Sequence, residues 1–442
     1  MSNLAKADSD TPARCEVLVI GGGPGGATIA ALLAERGRDV VLIEKATHPR
    51  FHIGESLLPF NLPLLERLGV GEEIRRIGMP KYGAEFVSPW HAKPVTFDFA
   101  NAVDKSFPYA YQVRRSEFDE ILFRNAVRKG ARTFEACRVT GVEFQTGGAV
   151  VATRGEGGVE QQWHAKFVVD ASGRDTVLAN QFGIKRRNTK HRSAAIFGHF
   201  SGATRLPGKA EGNISLFWFD HGWFWFIPLH DGATSVGAVC WPYYMNSRQT
   251  DPETFFRATI ALCPALADRL RNATLDSPVT ATGNYSYAGT RATGRNYLLL
   301  GDAYTFIDPM FSTGVFFAMQ SAFTGADTVE TCLDHAGEAP RALRAFDRAM
   351  RHGPKVFSWF IYRITTSTLR DLFMGRAERR LQEAVLSVLA GDVFRGTPLG
   401  LRLFAFRMVY YLRNLFNPRR TLQAWKQRKA ILGEPAPGTT VL

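Results

Sequence analysis

Six consecutive residues, Gly21-Gly22-Gly23-Pro24-Gly25-Gly26, place glycines at 21, 23 and 26 in the spacing G-x-G-x-x-G. The first glycine permits a tight turn, the second lets the backbone approach a pyrophosphate, and the third lets a helix pack on a strand. Phosphate charge then sits on the N–H groups left free at the helix start. Glu44 closes the next apolar run, where a carboxylate accepts hydrogen bonds from ribose hydroxyls. The chemistry is capture of a dinucleotide, and this motif alone does not separate FAD from NAD.

The elements that hold these residues are legible around them. Val17-Leu18-Val19-Ile20 is a continuous apolar run, as expected of a buried parallel strand. A helix is expected over 27–35, ended by Gly37, with a second strand from Asp39 to Ile43. This is a βαβ unit, so the fold class is α/β. An amphipathic helix is expected from Ser116 to Lys129 on Phe118, Ile121, Leu122 and Ala126. Paired strands are expected over 138–143 and 149–153 around Gly147-Gly148, and another buried strand at Phe167–Asp170. Residues 191–241 are aromatic-rich and β-like, Leu298–Leu300 return to the parallel sheet, and 341–431 read as mostly helical. The organisation expected is a flexible arm at 1–14, a discontinuous dinucleotide-binding domain at 15–190 and 286–340, a substrate-side sheet at 191–285, a helical C-terminal region at 341–432, and a flexible tail at 433–442.

Composition narrows the classes. The 442 residues are 45% hydrophobic and 21% charged, ordinary for a globular protein. No apolar run reaches the ~20 residues of a membrane-spanning helix, and Met1 to Arg14 lacks the apolar core of a secretory signal, so a cytoplasmic protein is expected. Cys15, Cys137, Cys240, Cys263 and Cys332 are widely spaced, with no C-x-x-C pair, and the histidines form no H-x-H or H-E-x-x-H group. Neither a disulfide framework nor a metal site is expected. The net charge of +13 attracts anionic partners and equally serves solubility, while no nucleic-acid recognition fold is visible.

Tyr297-Leu298-Leu299-Leu300-Gly301-Asp302-Ala303 resembles the second fingerprint of glutathione-reductase-like FAD proteins. That resemblance implies FAD, the flavin monooxygenase fold, and Asp302 on the ribityl chain. It also brings Arg115, in Gln112-Val113-Arg114-Arg115, toward the flavin, although a helix-start surface charge would read the same. Trp223-Phe224-Trp225-Phe226-Ile227-Pro228 matches the WxWxIP signature of flavin-dependent halogenases. Phe306 to Gly314, with Pro309 and Ser312, matches their Fx.Px.Sx.G pattern, and Pro80-Lys81-Tyr82-Gly83-Ala84 resembles the segment that carries their catalytic lysine. The likeness runs from Val17 to beyond Val393, and within the family it resembles most the pyrrole and phenol halogenases, particularly the pyoluteorin-type enzyme that acts on a carrier-protein-bound pyrrole. Met350-Arg351-His352-Gly353 and Leu389–Phe394 extend it into the C-terminal region.

This resemblance implies an oxidoreductase of secondary metabolism, antibiotic biosynthesis included, that uses FADH2 from a separate flavin reductase, oxygen, and chloride or bromide. Ser312, Thr313 and Gly314 would form the halide nest, Trp223 and Trp225 would shield the flavin from the substrate, and Lys81 would receive hypohalous acid and deliver it to an electron-rich aromatic. Glu55 in Gly54-Glu55-Ser56 is placed near the flavin by the same likeness. Tryptophan halogenases carry Glu where this chain has Phe311, which disfavours tryptophan and favours a pyrrole or phenol, free or tethered to a carrier protein. The competing reading is an aromatic hydroxylase on the same scaffold. It calls for an Asp-Gly pair that helps hold NADPH, and this chain reads Asp170-Ala171-Ser172-Gly173-Arg174 at that place. The basic stretch with Arg402, Arg407, Arg413, Arg419, Arg420, Lys426, Arg428 and Lys429 has no acidic residue and is interleaved with Phe404, Phe406, Tyr410, Tyr411, Leu415 and Phe416. It suits an acidic carrier protein, which the resemblance favours, or an anionic membrane. Its apolar face also suits packing on the flavin domain.

Overall fold

The strand Ala13–Ile20 lies between Val40–Ile43 and Glu160–Asp170, parallel to both, with Val17 to Ile20 fully buried. Arg132–Phe134 extends this sheet on one side and Tyr297–Leu299 on the other, each in parallel register. An antiparallel flap, Arg138–Gln145 with Gly148–Arg154, joins the same sheet through Glu160–Asp170. Continuous apolar runs at 17–20, 40–43 and 167–169 follow from burial on both faces, because helices cover the sheet. The helix Pro24–Glu35 packs between Arg115–Arg128 and the long helix Thr313–Asp334. The computed structural model describes residues 13–283, 286–364, 366–375 and 378–432.

A second sheet runs in the order Thr274–Leu275, Ala194–Ser201, Thr234–Cys240, Gly222–Pro228, Ile214–Phe219, Gly83–Val87, Val95–Asp98, with Thr280–Thr282 also paired to Ala194–Ser201. Its last two strands come from outside the span 191–285, since Ile214–Phe219 pairs in parallel with Gly83–Val87. Side chains on a strand alternate between faces. Trp223, Trp225 and Ile227 therefore join the main core, while Phe224 and Phe226 fill a separate core with Phe255, Phe256 and Leu266. Gly237 stands opposite Trp225, and a Cβ there would come within 2.2 Å of the indole. A glycine is what lets the ring lie across its neighbour strand.

Several boundaries differ from those read in the sequence. The first helix starts at Pro24 rather than Ala27, because proline is suited to the first helical position and the glycines after it turn with the helix. The opening strand begins at Ala13, inside the segment read as an arm. Asp39 stays outside the second strand, where its carbonyl accepts from Glu16 and Val17 N–H. The C-terminal region is helical over Ala339–Ile361, Ser367–Met374, Arg379–Ala390, Gly400–Leu415 and Pro418–Leu432. The rest of the arm, 1–12, and the tail, 433–442, lie outside the described residues. Among the described residues no helix is long and apolar enough to cross a membrane, and no group of His, Cys, Asp or Glu is arranged for a metal.

Asp170 ends the central strand and is completely buried. One carboxylate oxygen accepts from Ser172 N–H at 2.9 Å and the other from Leu178 N–H at 2.7 Å. Burial nevertheless pushes its pKa up. Asp170→Ala strands two buried N–H groups and should lower stability by about 3 kcal/mol. Asp170→Asn, which keeps one acceptor, should lose less, as read by urea unfolding.

Candidate active site

A cavity of about 530 Å³ opens between the two sheets. That volume falls within the range of cofactor sites, roughly 300–1,000 Å³. Its wall includes Gly21, Gly23, Pro24, Gly25 and Glu44 from the first βαβ unit, Arg115 and Asp302, Ser312 to Gly314, and Trp223 and Trp225. Gly26 does not line it. A Cβ on Gly26 would lie 1.8 Å from the Gly21 carbonyl oxygen, so this glycine closes the turn from behind. Gly21 has φ +99°, and a Cβ there would meet the Ala171 carbonyl oxygen at 2.6 Å.

Glu44 is buried and already accepts from Gly22 N–H at 2.7 Å and Ala46 N–H at 2.9 Å. The residue expected to meet a ribose therefore also fixes the glycine turn. Arg115 is buried at the start of its helix, so it is not a surface charge. It donates in bidentate fashion to Asp119 at 2.7 and 2.9 Å and reaches the Ile53 carbonyl at 2.9 Å. Asp302 is half-buried in the cavity wall. Burial pushes its carboxyl up to about 6, against the opposite pull of Arg115 and Arg174.

Ser312 adopts the left-handed conformation, φ 55° and ψ 29°, immediately before the helix Thr313–Asp334. The N–H groups of Thr313 and Gly314 belong to the first turn, which has no intrahelical acceptor. Asp308 anchors this loop. It accepts from Met310 N–H at 3.0 Å and meets His191 at 2.6 Å and the Ser193 hydroxyl at 2.9 Å. Trp225 donates to the Ser235 hydroxyl at 3.1 Å, and its ring centroid lies 6.3 Å from that of Trp223.

Lys81 does not line the cavity. It ends the short strand Met79–Lys81, which pairs with Ala110–Gln112, and it is 1% exposed. Its ammonium donates to the Ser56 hydroxyl at 2.9 Å and to the Leu57 carbonyl at 2.8 Å, and lies 5.3 Å from the centre of the Phe99 ring. Burial lowers its pKa to about 7. Ser56 lines the cavity, so a single side chain stands between the cavity and the amine.

Two contributors, Arg50 and Phe197, were not visible in the sequence, and Glu55, placed near the flavin by resemblance, joins them in the wall. Glu55 lines the cavity with one oxygen 2.8 Å from His199 Nε2 and the other without a partner, though it is buried. Arg50 lines it too, contacting Asp119 at 3.2 Å while its Nε has no partner. Phe197 adds an apolar face. A lone histidine within an apolar strand carries no local signal, and neither does an arginine in a loop. The unpartnered polar atoms of Glu55 and Arg50, with a turn too tight for any side chain, are what a bound polar cofactor would complete.

Comparison with known proteins agrees with this geometry. A family model described as an FAD binding domain matches residues 14–344. The tryptophan 2-halogenase of Chondromyces crocatus is 36% identical over 340 residues, covering 75% of this chain and 63% of that protein. The chain thus spans less than two thirds of that relative. The chlorinase of 1H-pyrrole-2-carbonyl peptidyl-carrier protein from Pseudomonas fluorescens is 30% identical over 410 residues, covering 87% of this chain and 90% of that one. The solved structure of the myxobacterial chondrochloren halogenase CndH is 34% identical with a TM-score of 0.76, covering 88% of this chain and 92% of its own.

Asp119 is fully buried and held mainly by Arg115. Arg115→Ala should cost about 3 kcal/mol, the usual penalty for leaving a buried charge without its partner. Arg115→Lys, which lacks the planar fork, should recover only part of it. Chemical denaturation with and without added FAD reads both the stability and the cofactor contribution.

Proposed function

The chain belongs to the flavin-dependent halogenases, enzymes that bind FAD, and we propose that it halogenates an electron-rich aromatic, a pyrrole or phenol, at Lys81. The observation that carries this reading is the placement of Lys81: an amine sealed from solvent, one serine away from the flavin-sized cavity. Gly21, Gly23, Glu44, Arg115 and Asp302 would hold FAD, with Gly26 closing the turn behind them. Reduced FAD, when bound, supplies two electrons that, with two from halide, take oxygen to water and hypohalous acid.

The chain's own residues divide the remaining work. Thr313 and Gly314 amides, exposed by the turn at Ser312, would hold chloride or bromide. Trp223 and Trp225 fill the wall on which an organic ring would otherwise lie, which opposes direct oxygen transfer to substrate. Ser56 and the Leu57 carbonyl orient the Lys81 ammonium, which donates a hydrogen bond to hypohalous acid and makes its halogen more electrophilic. The ring carbon gains halogen and loses a proton, and hydroxide leaves as water. Phe311 is buried against Phe357 and Phe360, so no carboxylate stands before Ser312 to assist a less activated ring. The Chondromyces relative is named for tryptophan, whereas Phe311 supports a more activated ring for this chain. The carrier-tethered pyrrole named for the Pseudomonas relative is the preferred substrate type. The interrupted segment Asp170 to Arg174 supports reduced FAD arriving from a separate flavin reductase.

The test is a reaction with reductase, FAD, chloride, oxygen, and phenol or carrier-bound pyrrole substrates. A product with the chlorine isotope pair is expected. A product that gained only oxygen would overturn the proposal. Lys81→Met should lower aryl chloride by about 100-fold or more, the usual scale for loss of a general acid, while a diffusible scavenger still traps hypochlorous acid.

The pH dependence has a definite sign. Lys81 has a folded pKa of about 7, below its ordinary value near 10.5, so it is charged only below neutral pH. The share of oxidant converted to aryl chloride should fall as pH rises through 7, because the ammonium is the active form. A share that rose instead would point to the free amine. Stability should move the opposite way. Between about 7 and 10.5 the unfolded chain binds the proton that the folded chain has lost, so this group makes stability rise with pH. Lys81→Met should remove that slope in unfolding titrations.

A further inference from the structure

The helix Gly400–Leu415 carries a second surface that halogenation does not use. Its inner face is anchored by Phe406 and Tyr410 against Trp359, with ring centroids 6.1 and 5.4 Å apart. Leu401, Phe404, Met408, Leu412 and Leu415 recur every three or four residues, with Phe416 just past the helix end. All six are between 41% and 80% exposed. They form one stripe along a helix about 24 Å long. Exposed apolar stripes of this size mark a partner.

We propose that this stripe seats the protein on an anionic lipid bilayer. The side chains of the stripe are hydrocarbon, aromatic and thioether groups, with no strong donor or acceptor to satisfy. Arg413 lies to one side of it by helical position and is exposed, whereas Arg402 is paired with Glu383 and Arg407 stacks on Trp359. Residues 400–432 hold eight basic and no acidic side chains. The nearby carboxylates are already paired, Glu383 with Arg379 and Arg402, and Asp371 with His91 and Arg420. Arg413 and Arg419 are exposed and free to face phosphate.

Gly400–Leu415 packs on Arg379–Ala390, which packs on the turn Phe99–Asn101. The binding itself does not depend on halogenation.

The test is flotation of the full-length, FAD-loaded protein with phosphatidylcholine vesicles and with vesicles containing phosphatidylglycerol. At least tenfold more protein should float with the anionic vesicles, and high salt should reduce that share. A Leu401→Ser, Phe404→Ser, Leu415→Ser triple variant should lose binding tenfold or more with its melting temperature preserved. Arg413→Gln with Arg419→Gln, both on the surface, gives an independent arm that should also lose binding. Wild type that fails to float, or variants that float as well as wild type, would overturn the proposal. So would a dimer in solution that the triple variant splits, since a second copy would then cover the stripe.

Discussion

A buried amine is among the most costly groups a protein can hold, and the substrate-side half of this molecule is organised around holding one. Lys81 has lost nearly all its water, which is why its pKa falls to about 7. Three features keep the site from collapsing. The Ser56 hydroxyl and Leu57 carbonyl accept its protons, and the Phe99 face offers the negative quadrupole of a ring. The geometry is set by backbone register rather than by side chains alone. Met79–Lys81 pairs with Ala110–Gln112, and Gln112 in turn bridges to Ser56. One ladder thus places both donor and acceptor, and Arg115 begins its helix only three residues beyond Gln112. The amine and the cavity wall are thus tied together by strand pairing between segments that are distant along the chain.

The cavity half obeys a different constraint, close approach of backbone. The glycine turn works because Gly21 takes a left-handed φ and Gly26 leaves no Cβ against the Gly21 carbonyl. Glu44 then ties the turn to the second strand through Gly22 N–H. These are local events, each within one βαβ unit, and so they are legible in sequence. Spacing between a strand and a helix singles out Gly21, Gly23, Gly26 and Glu44 as the turn and its tie, and the apolar runs point to the parallel sheet.

What sequence could not carry is whatever depends on residues distant along the chain. Lys81 is identifiable by resemblance, yet nothing around it announces burial, because its acceptors are 24 and 25 positions away. The sheet boundary at 191 fails for the same reason: Gly83–Val87 joins through parallel pairing with Ile214–Phe219, and no periodicity predicts a partner 130 residues downstream. Arg115 illustrates the ambiguity. At a helix start it reads equally as a flavin contact or a solvated charge; Asp119 is its local partner four residues on, but only the fold brings the Ile53 carbonyl to it and buries both.

Two histidine–carboxylate pairs join the halves. Asp308, in the loop before Ser312, meets His191 and Ser193, and Glu55, beside Ser56, meets His199. Both histidines flank or lie within the single strand Ala194–Ser201 of the second sheet. All four ionisable groups are buried, so parting either pair leaves a dehydrated carboxylate without its partner, a cost well above that of an exposed ion pair. One strand is therefore pinned at one point to the loop before Ser312 and at another to the segment that carries the Lys81 acceptor. Two segments of the cavity wall thus share one strand as their support, which ties the segment before Ser312 to the segment that carries Ser56.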